Sequence, residues 1–292
     1  MESVAKESGT FKSFDGTPIY YEVRGQGEPL IFVYGIACLT NHWHHQVDYF
    51  SKNYKTIVFD LRGHHKSSGI SSDQNLNLDS MAKDLQGLME HLGLKKAWFL
   101  GHSFGVPIIL KTYDLIPEIF NGMVFINGFS KNPIKGMFGL DLIEPLFYYL
   151  KNQYENAPEI WSQIWKMLVY NPVSMRLAAL AGGFNLKLTH FKDIEVYARG
   201  VSQMDLKIFF PLFEELMRFD GSEILKKITI PTLIISGEND HVTPKIFQHD
   251  LRASIKDSEY VEVPYGSHCT QLDFPDYINL KLEKFFQTSK IK

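Results

Sequence analysis

Cysteine is scarce in this chain. Its 292 residues hold two, Cys38 and Cys269, which make neither a disulfide framework nor a metal-binding spacing. Long apolar runs are missing as well. The longest, Pro29 to Leu39, falls far short of the roughly 20 residues that cross a bilayer as a helix. The opening residues, MESVAKESGTFKSF, contain no apolar segment of the kind a secretory signal needs, and no Asn-x-Ser/Thr sequon occurs. These absences point to a soluble protein of a reducing compartment, with the cytoplasm as the expected location. Charge of one sign does not dominate. The net charge of −3 gives no basic balance for nucleic acid or an anionic membrane, so neither is an expected partner.

What is present is globular: 45% hydrophobic and 22% charged residues, with 22 Phe, 14 Tyr and 4 Trp. The length allows one large α/β domain, or a core with an inserted second unit.

Two short alternating segments come first, about Thr10–Phe14 and Pro18–Arg24. Asp15-Gly16 lies between them, a dipeptide suited to a tight hairpin because Gly tolerates positive φ. The pattern then changes. PLIFVYG, KTIVFD, AWFLG and GMVFING are nearly continuous apolar runs, each ending in Gly or a polar residue. Such runs suit strands covered on both faces, as in a parallel sheet. NLDSMAKDLQGLMEHLGL has helical spacing, with Asn77 or Asp79 available as its cap. The same rhythm returns in ITIPTLIISG and SEYVEVPYG and closes with the amphipathic PDYINLKLEKFFQ. The expectation is a doubly wound, mostly parallel α/β sheet. From residue 130 to 221 the rhythm stops. Helical patterns rich in aromatic residues replace it: LDLIEPLFYYLKNQYE, PEIWSQIWKMLVY, PVSMRLAALAGG and FKDIEVYARGVSQM. This part reads as a helical cap inserted in a core formed by residues 1–129 and 222–292.

FLGHSFGVPIIL, Phe99 to Leu110, sits at a strand-to-helix junction. Its glycines allow a sharp turn and bring the helix close to the strand, holding Ser103 at the carboxyl edge of the sheet. Pro107 falls in the first helical turn, where a missing N–H does no harm. A serine hydroxyl is a poor nucleophile and needs a base, which in turn needs an orienting carboxylate. Both follow in the order Ser, acid, His. Asp240 lies just beyond the strand TLIIS, with Glu238 as its only close competitor, and His268 lies in the loop after YVEV.

On these residues, together with DLRGHHKS and SHCTQLDFPDYINLKLEKFF, the chain resembles the α/β-hydrolase fold superfamily, and within it the capped, esterase-like serine hydrolases. The resemblance covers about Thr10–Gly128 and Ser222–Phe286. It implies Ser103 as nucleophile, His268 as general base and then acid, Asp240 as orienter, and an oxyanion hole from the N–H groups of Ile36 and Phe104. Three positions depart from the usual pattern. Tyr34 precedes Gly35 where His is common, and its hydroxyl could line the site. His65 replaces a Gly. Val106 stands where a small residue is usual, which would hold helix and strand slightly apart.

The histidines of NHWHH and of His64-His65 come from loops expected at one sheet edge. No HExxH or paired-Cys spacing accompanies them, so no metal is expected. Gly25-Gln26-Gly27 lacks the third glycine of a dinucleotide loop and reads as a turn, and no cofactor is expected. The aromatic cap points to a hydrophobic small-molecule ester, lactone or thioester, cleaved through an acyl-enzyme. Other uses of the same fold remain open: carbon–carbon bond hydrolysis, cofactor-free peroxidase-like chemistry, or a ligand receptor without turnover.

Overall fold

The computed structural model describes residues 4–135, 137–139 and 142–289. Eight strands form one sheet: β1 (Lys6–Lys12), β2 (Pro18–Arg24), β3 (Pro29–Val33), β4 (Lys55–Phe59), β5 (Ala97–His102), β6 (Phe120–Ile126), β7 (Thr232–Gly237) and β8 (Glu259–Val263). Their spatial order is β1-β2-β4-β3-β5-β6-β7-β8. β1 and β2 are antiparallel to each other and β2 is antiparallel to β4. All other pairs are parallel. The hairpin turns where expected, with Gly16 at φ 84°. β1 ends at Lys12, short of the expected Phe14, because Ser13 turns inward and its hydroxyl donates to the buried Asp84.

The helices are α1 (His44–Phe50), α2 (Leu78–His91), α3 (Gly105–Leu115), α4 (Ile143–Asn156), α5 (Pro158–Val169), α6 (Pro172–Leu180), α7 (Phe191–Ser202), α8 (Leu206–Arg218), α9 (Ser222–Leu225), α10 (Ile246–Ser254), α11 (Thr270–Asp273) and α12 (Pro275–Ser289). Asn77, rather than Asp79, caps α2 by accepting from the Ser80 N–H.

Successive strand residues point to opposite faces, and β5 shows what each face meets. Trp98 packs on Phe285 and Phe286 of α12. Phe99 packs on Phe120, which in turn meets Tyr113 of α3. Both faces are therefore covered by apolar side chains, and β3, β5 and β7 are buried almost throughout. That is why their sequences are nearly continuous apolar runs.

Between β6 and β7 lie α4 to α9. The fifth of these, α8, had no counterpart among the helical patterns read from the sequence, because Pro211 interrupts its interior. The expected start of the first of them, at Leu140, lies outside the described residues. Among the described residues no helix is long and apolar enough to cross a membrane.

Candidate active site

β5 runs straight into α3 through Ser103, whose φ is +53°. A non-glycine residue in the left-handed region carries strain of order 1 kcal/mol or more, held by its surroundings. The glycines on either side make the turn possible. A Cβ on Gly105 would lie 2.2 Å from the Val33 carbonyl oxygen, and one on Gly101 would lie 3.1 Å from the Gly105 backbone. The helix is therefore in close contact with β3 and β5, and Val106 does not hold it away. Its extra bulk is taken up at the end of β6, where a Cβ on Gly128 would meet Val106 at 2.4 Å.

Asp240 follows β7 and His268 follows β8. His268 Nδ1 lies 2.9 Å from Asp240 Oδ2. An ionised carboxylate only accepts, so Nδ1 carries the proton and Nε2 keeps a free lone pair. The other carboxylate oxygen accepts the N–H groups of Val242 at 2.9 Å and Thr243 at 2.8 Å. The Thr243 hydroxyl lies 2.8 Å from both Asp240 Oδ2 and the Asn127 carbonyl, either of which can accept its single proton. Glu238 turns elsewhere and accepts the Tyr265 N–H. Ser103 and His268 open on one cavity of about 220 Å³. Its other walls include Phe129, Phe184, Phe213, Leu216 and Val242, and no Asp, Glu, Lys or Arg is among the described residues lining it.

Ile36 also lines this cavity. Among the described residues no backbone carbonyl accepts from the N–H of Ile36 or of Phe104. The loop that carries Ile36 is fixed from DLRGHHKS. The Ala37 N–H donates to His64 Nε2 at 3.1 Å, and His65 Nε2 donates to the Cys38 carbonyl at 2.8 Å. His65 itself has φ +40°, the backbone region that explains why glycine is usual there. Tyr34 is not a site residue. Its side chain is fully buried and its hydroxyl donates to Asp60 at 3.1 Å while accepting the Leu61 N–H at 2.9 Å. Burial and the nearby Asp60 push that phenol well above its ordinary pKa.

Several positioning residues carried no motif. Asn127, at φ +48° after β6, is fully buried. Its amide nitrogen donates to the carbonyls of Ser267 at 3.0 Å and His268 at 2.7 Å, and its oxygen accepts the Gly237 N–H at 2.7 Å. One side chain thus joins the ends of β6 and β7 to the His268 loop. His102 Nε2 donates to the His268 carbonyl at 2.9 Å, and its ring packs between those of His42 and His268 at 4.5 and 4.7 Å. The turn after α6 also reaches the site: the N–H of His268 donates to the Gly182 carbonyl at 2.8 Å and that of Cys269 to Gly183 at 3.2 Å. The signals available in the sequence were faint: a Gly-Gly pair, a polar residue at a strand end, and a His beside the serine.

Burial decides the charge around this centre. It lowers His42 and His64 to about 3 and His102 well below its ordinary value, so all three are neutral at pH 7. It also raises the Cys38 thiol to about 12 and Cys269 well above the usual range. Both thiols are therefore protonated at pH 7.

The sequence profile of the alpha/beta hydrolase fold family matches residues 28–275. RutD of Azorhizobium caulinodans, which bears a carbamate hydrolase name, is 22% identical over 270 residues, covering 91% of this chain and 94% of the relative. Among solved structures, a bromoperoxidase from Bacillus anthracis superposes with a TM-score of 0.78 at 20% identity, covering 96% of this chain and all of the other. An esterase from Exiguobacterium antarcticum superposes with a TM-score of 0.75 at 18% identity, covering 95% and 98%. Likenesses this distant in sequence concern the fold, and the profile match carries the assignment: this chain belongs to the alpha/beta hydrolase fold family.

Proposed function

We propose that this protein is a serine hydrolase cleaving a hydrophobic small-molecule ester, lactone or thioester, with Ser103 as nucleophile, His268 as base and Asp240 as orienter. One observation carries this reading: Ser103 is held at positive φ on the cavity it shares with His268, whose Nδ1 is fastened to Asp240. His268 Nε2 takes the hydroxyl proton as Ser103 Oγ attacks the carbonyl carbon. The N–H groups of Ile36 and Phe104 receive the oxyanion, one such donor being worth about 3–4 kcal/mol of barrier. Protonated His268 then delivers its proton to the leaving group, which departs as the acyl-enzyme forms. Water, losing a proton to His268, cleaves that ester and restores Ser103.

The substrate class follows from the cavity wall. Its aromatic and aliphatic lining offers no cationic or acidic partner for a charged acyl group. Residues 130–221 act as the cap: Ala178, Phe184 and Phe213 come from this segment and line the cavity together with Ser103.

The experiment is labelling with a fluorophosphonate probe, read by adduct mass, on the wild type and on Ser103→Ala. A single adduct at Ser103 is expected, with none on the variant, whose thermal melt stays near that of the wild type. A folded wild type that takes no label refutes the nucleophile. A preference for short, charged esters over acyl-chain or aryl esters refutes the substrate class.

A further inference from the structure

A second cluster of titratable groups lies outside the proposed catalytic centre, where α1 meets α7. His44 and His45 open α1, and Asp193 sits in the first turn of α7. Adjacent helical residues normally diverge by about 100° around the axis, yet these two imidazoles converge on one carboxylate. His44 Nε2 is 3.4 Å from Asp193 Oδ1, and His45 Nε2 is 3.1 Å from Asp193 Oδ2. The two rings lie 3.8 Å apart, centre to centre.

Hydrogen bonding leaves this arrangement one donor short. His44 Nδ1 is 2.9 Å from the Asn41 carbonyl. A carbonyl can only accept, so Nδ1 carries the proton and, in the neutral ring, Nε2 is a lone pair. That lone pair faces a carboxylate oxygen, and two acceptors face each other without a donor. His45 has no such constraint and can donate to its own oxygen. A second proton on His44 would fill the gap. A cation held between the three groups fills it without that proton.

The donor spacing suits such an ion. One ligand atom from each of the three residues lies within 4.8 Å of the others, and each imidazole nitrogen is 3.1 or 3.4 Å from its own carboxylate oxygen, near the roughly 3.3 Å between two donors on a tetrahedral zinc ion. A ring Nδ1–H donated to a backbone carbonyl, as His44 makes to Asn41, is the usual outer support of a metal-bound imidazole. Two imidazoles and a carboxylate suit zinc and its first-row neighbours better than calcium or magnesium. The three side chains are 27%, 24% and 10% exposed, so an ion can enter and keep a water as its remaining ligand.

We propose that His44, His45 and Asp193 form a binding site for a divalent transition metal, zinc by preference, that ties α7 to α1. The ion would join the segment between β6 and β7 to the helix that follows the Ile36 loop, about which the proposed oxyanion hole is built. It takes no part in bond cleavage, and the inference does not depend on the hydrolase reading.

The test uses the full chain, stripped with chelator and titrated with Co²⁺ as a coloured stand-in for zinc, followed by Zn²⁺ competition and thermal melts. One equivalent of Co²⁺ should give a visible d–d band of low-symmetry, four- or five-coordinate intensity. Zinc should displace it, and the melting temperature should rise. His44→Ala, His45→Ala and Asp193→Asn should each weaken binding by at least about 100-fold, more than the roughly 10–100-fold of outer-shell changes. Asp193→Asn is nearly isosteric, and metal-free melts report folding for all three. The proposal is overturned if the wild type gives neither band nor shift, or if affinity is unchanged in these variants. Loss of binding only in Cys269→Ser also overturns it, by assigning the ion to the buried group His42, His102 and Cys269.

Discussion

Lowering the pH from 7.5 to 5.5 should destabilise this protein well before its carboxylates titrate, through histidines buried without charge. His64 and His102 are fully buried. Desolvation lowers His64 and the likewise buried His42 to about 3, and His102 well below its ordinary value. In the unfolded chain each returns to about 6.5. Between those values the unfolded state binds a proton that the native state refuses, so stability is full above about 6.5 and is lost as pH falls through it. At pH 5.5 the loss for one such group is RT ln(1 + 10), about 1.4 kcal/mol, and about 4 kcal/mol for the three. That is a large part of a total stability of order 5–15 kcal/mol. Asp60 and Asp84, both raised by burial, act in the opposite sense at the acid end, so the measurement stays at or above pH 5.5. Urea unfolding at pH 7.5, 6.5 and 5.5, in chelator-containing buffer, would follow the midpoint, expected to fall with most of the drop below 6.5. His102→Gln keeps a donor for the His268 carbonyl and should remove about a third of the drop. A midpoint constant from pH 7.5 to 5.5 would show that these imidazoles are solvated or charged in the native protein, and the reasoning would fail.

Other consequences are local. Arg62 is fully buried and bonds Asp84 through two nitrogens at 2.6 and 2.7 Å and Asp15 at 3.0 Å. Arg62→Met removes the cationic partner of both carboxylates and should cost about 3–5 kcal/mol by urea unfolding; a loss under 1 kcal/mol would mean that water replaces the guanidinium. Gly182 has φ +88°, and a Cβ there would lie 2.8 Å from the Asn239 carbonyl. Gly182→Ala should disturb the Asp240 and His268 loops together and lower kcat at least about tenfold with the fold retained. Unchanged ester turnover would sink that link. Asn127→Ala removes the bonds to His268, Ser267 and Gly237 and should lower both the melting temperature and kcat/KM, by about 2–3 kcal/mol in stability. An unaltered melt would contradict the role given to this side chain.

The fold was legible in the sequence to the extent that its strands are buried on both faces and its helices on one. Burial on two faces writes a continuous apolar run, as in β3, β5 and β7, and burial on one face writes helical spacing, as in α2. The elbow was legible for a related reason: a sharp turn and a close helix–strand contact leave room only for glycine at position 105 and little room for a side chain at 101. α8 was missed although its apolar residues keep helical spacing, because a proline inside a segment, here Pro211, reads as a helix breaker.

By itself, then, the sequence determined which side chains are withdrawn from water, where the chain must turn, and the order in which Ser103, Asp240 and His268 arrive at one edge of the sheet. The tertiary structure decided what each of them meets. Tyr34, which the sequence left free to line the cavity, is spent on Asp60. Asn127 reaches loops more than a hundred residues away, and His45 reaches Asp193 across 148 positions. Periodicity records the environment of a residue because every turn of helix or pleat of strand repeats it. A hydrogen-bond partner is a single pair of atoms brought together once, by the packing of the whole chain, and it leaves no repeat to read.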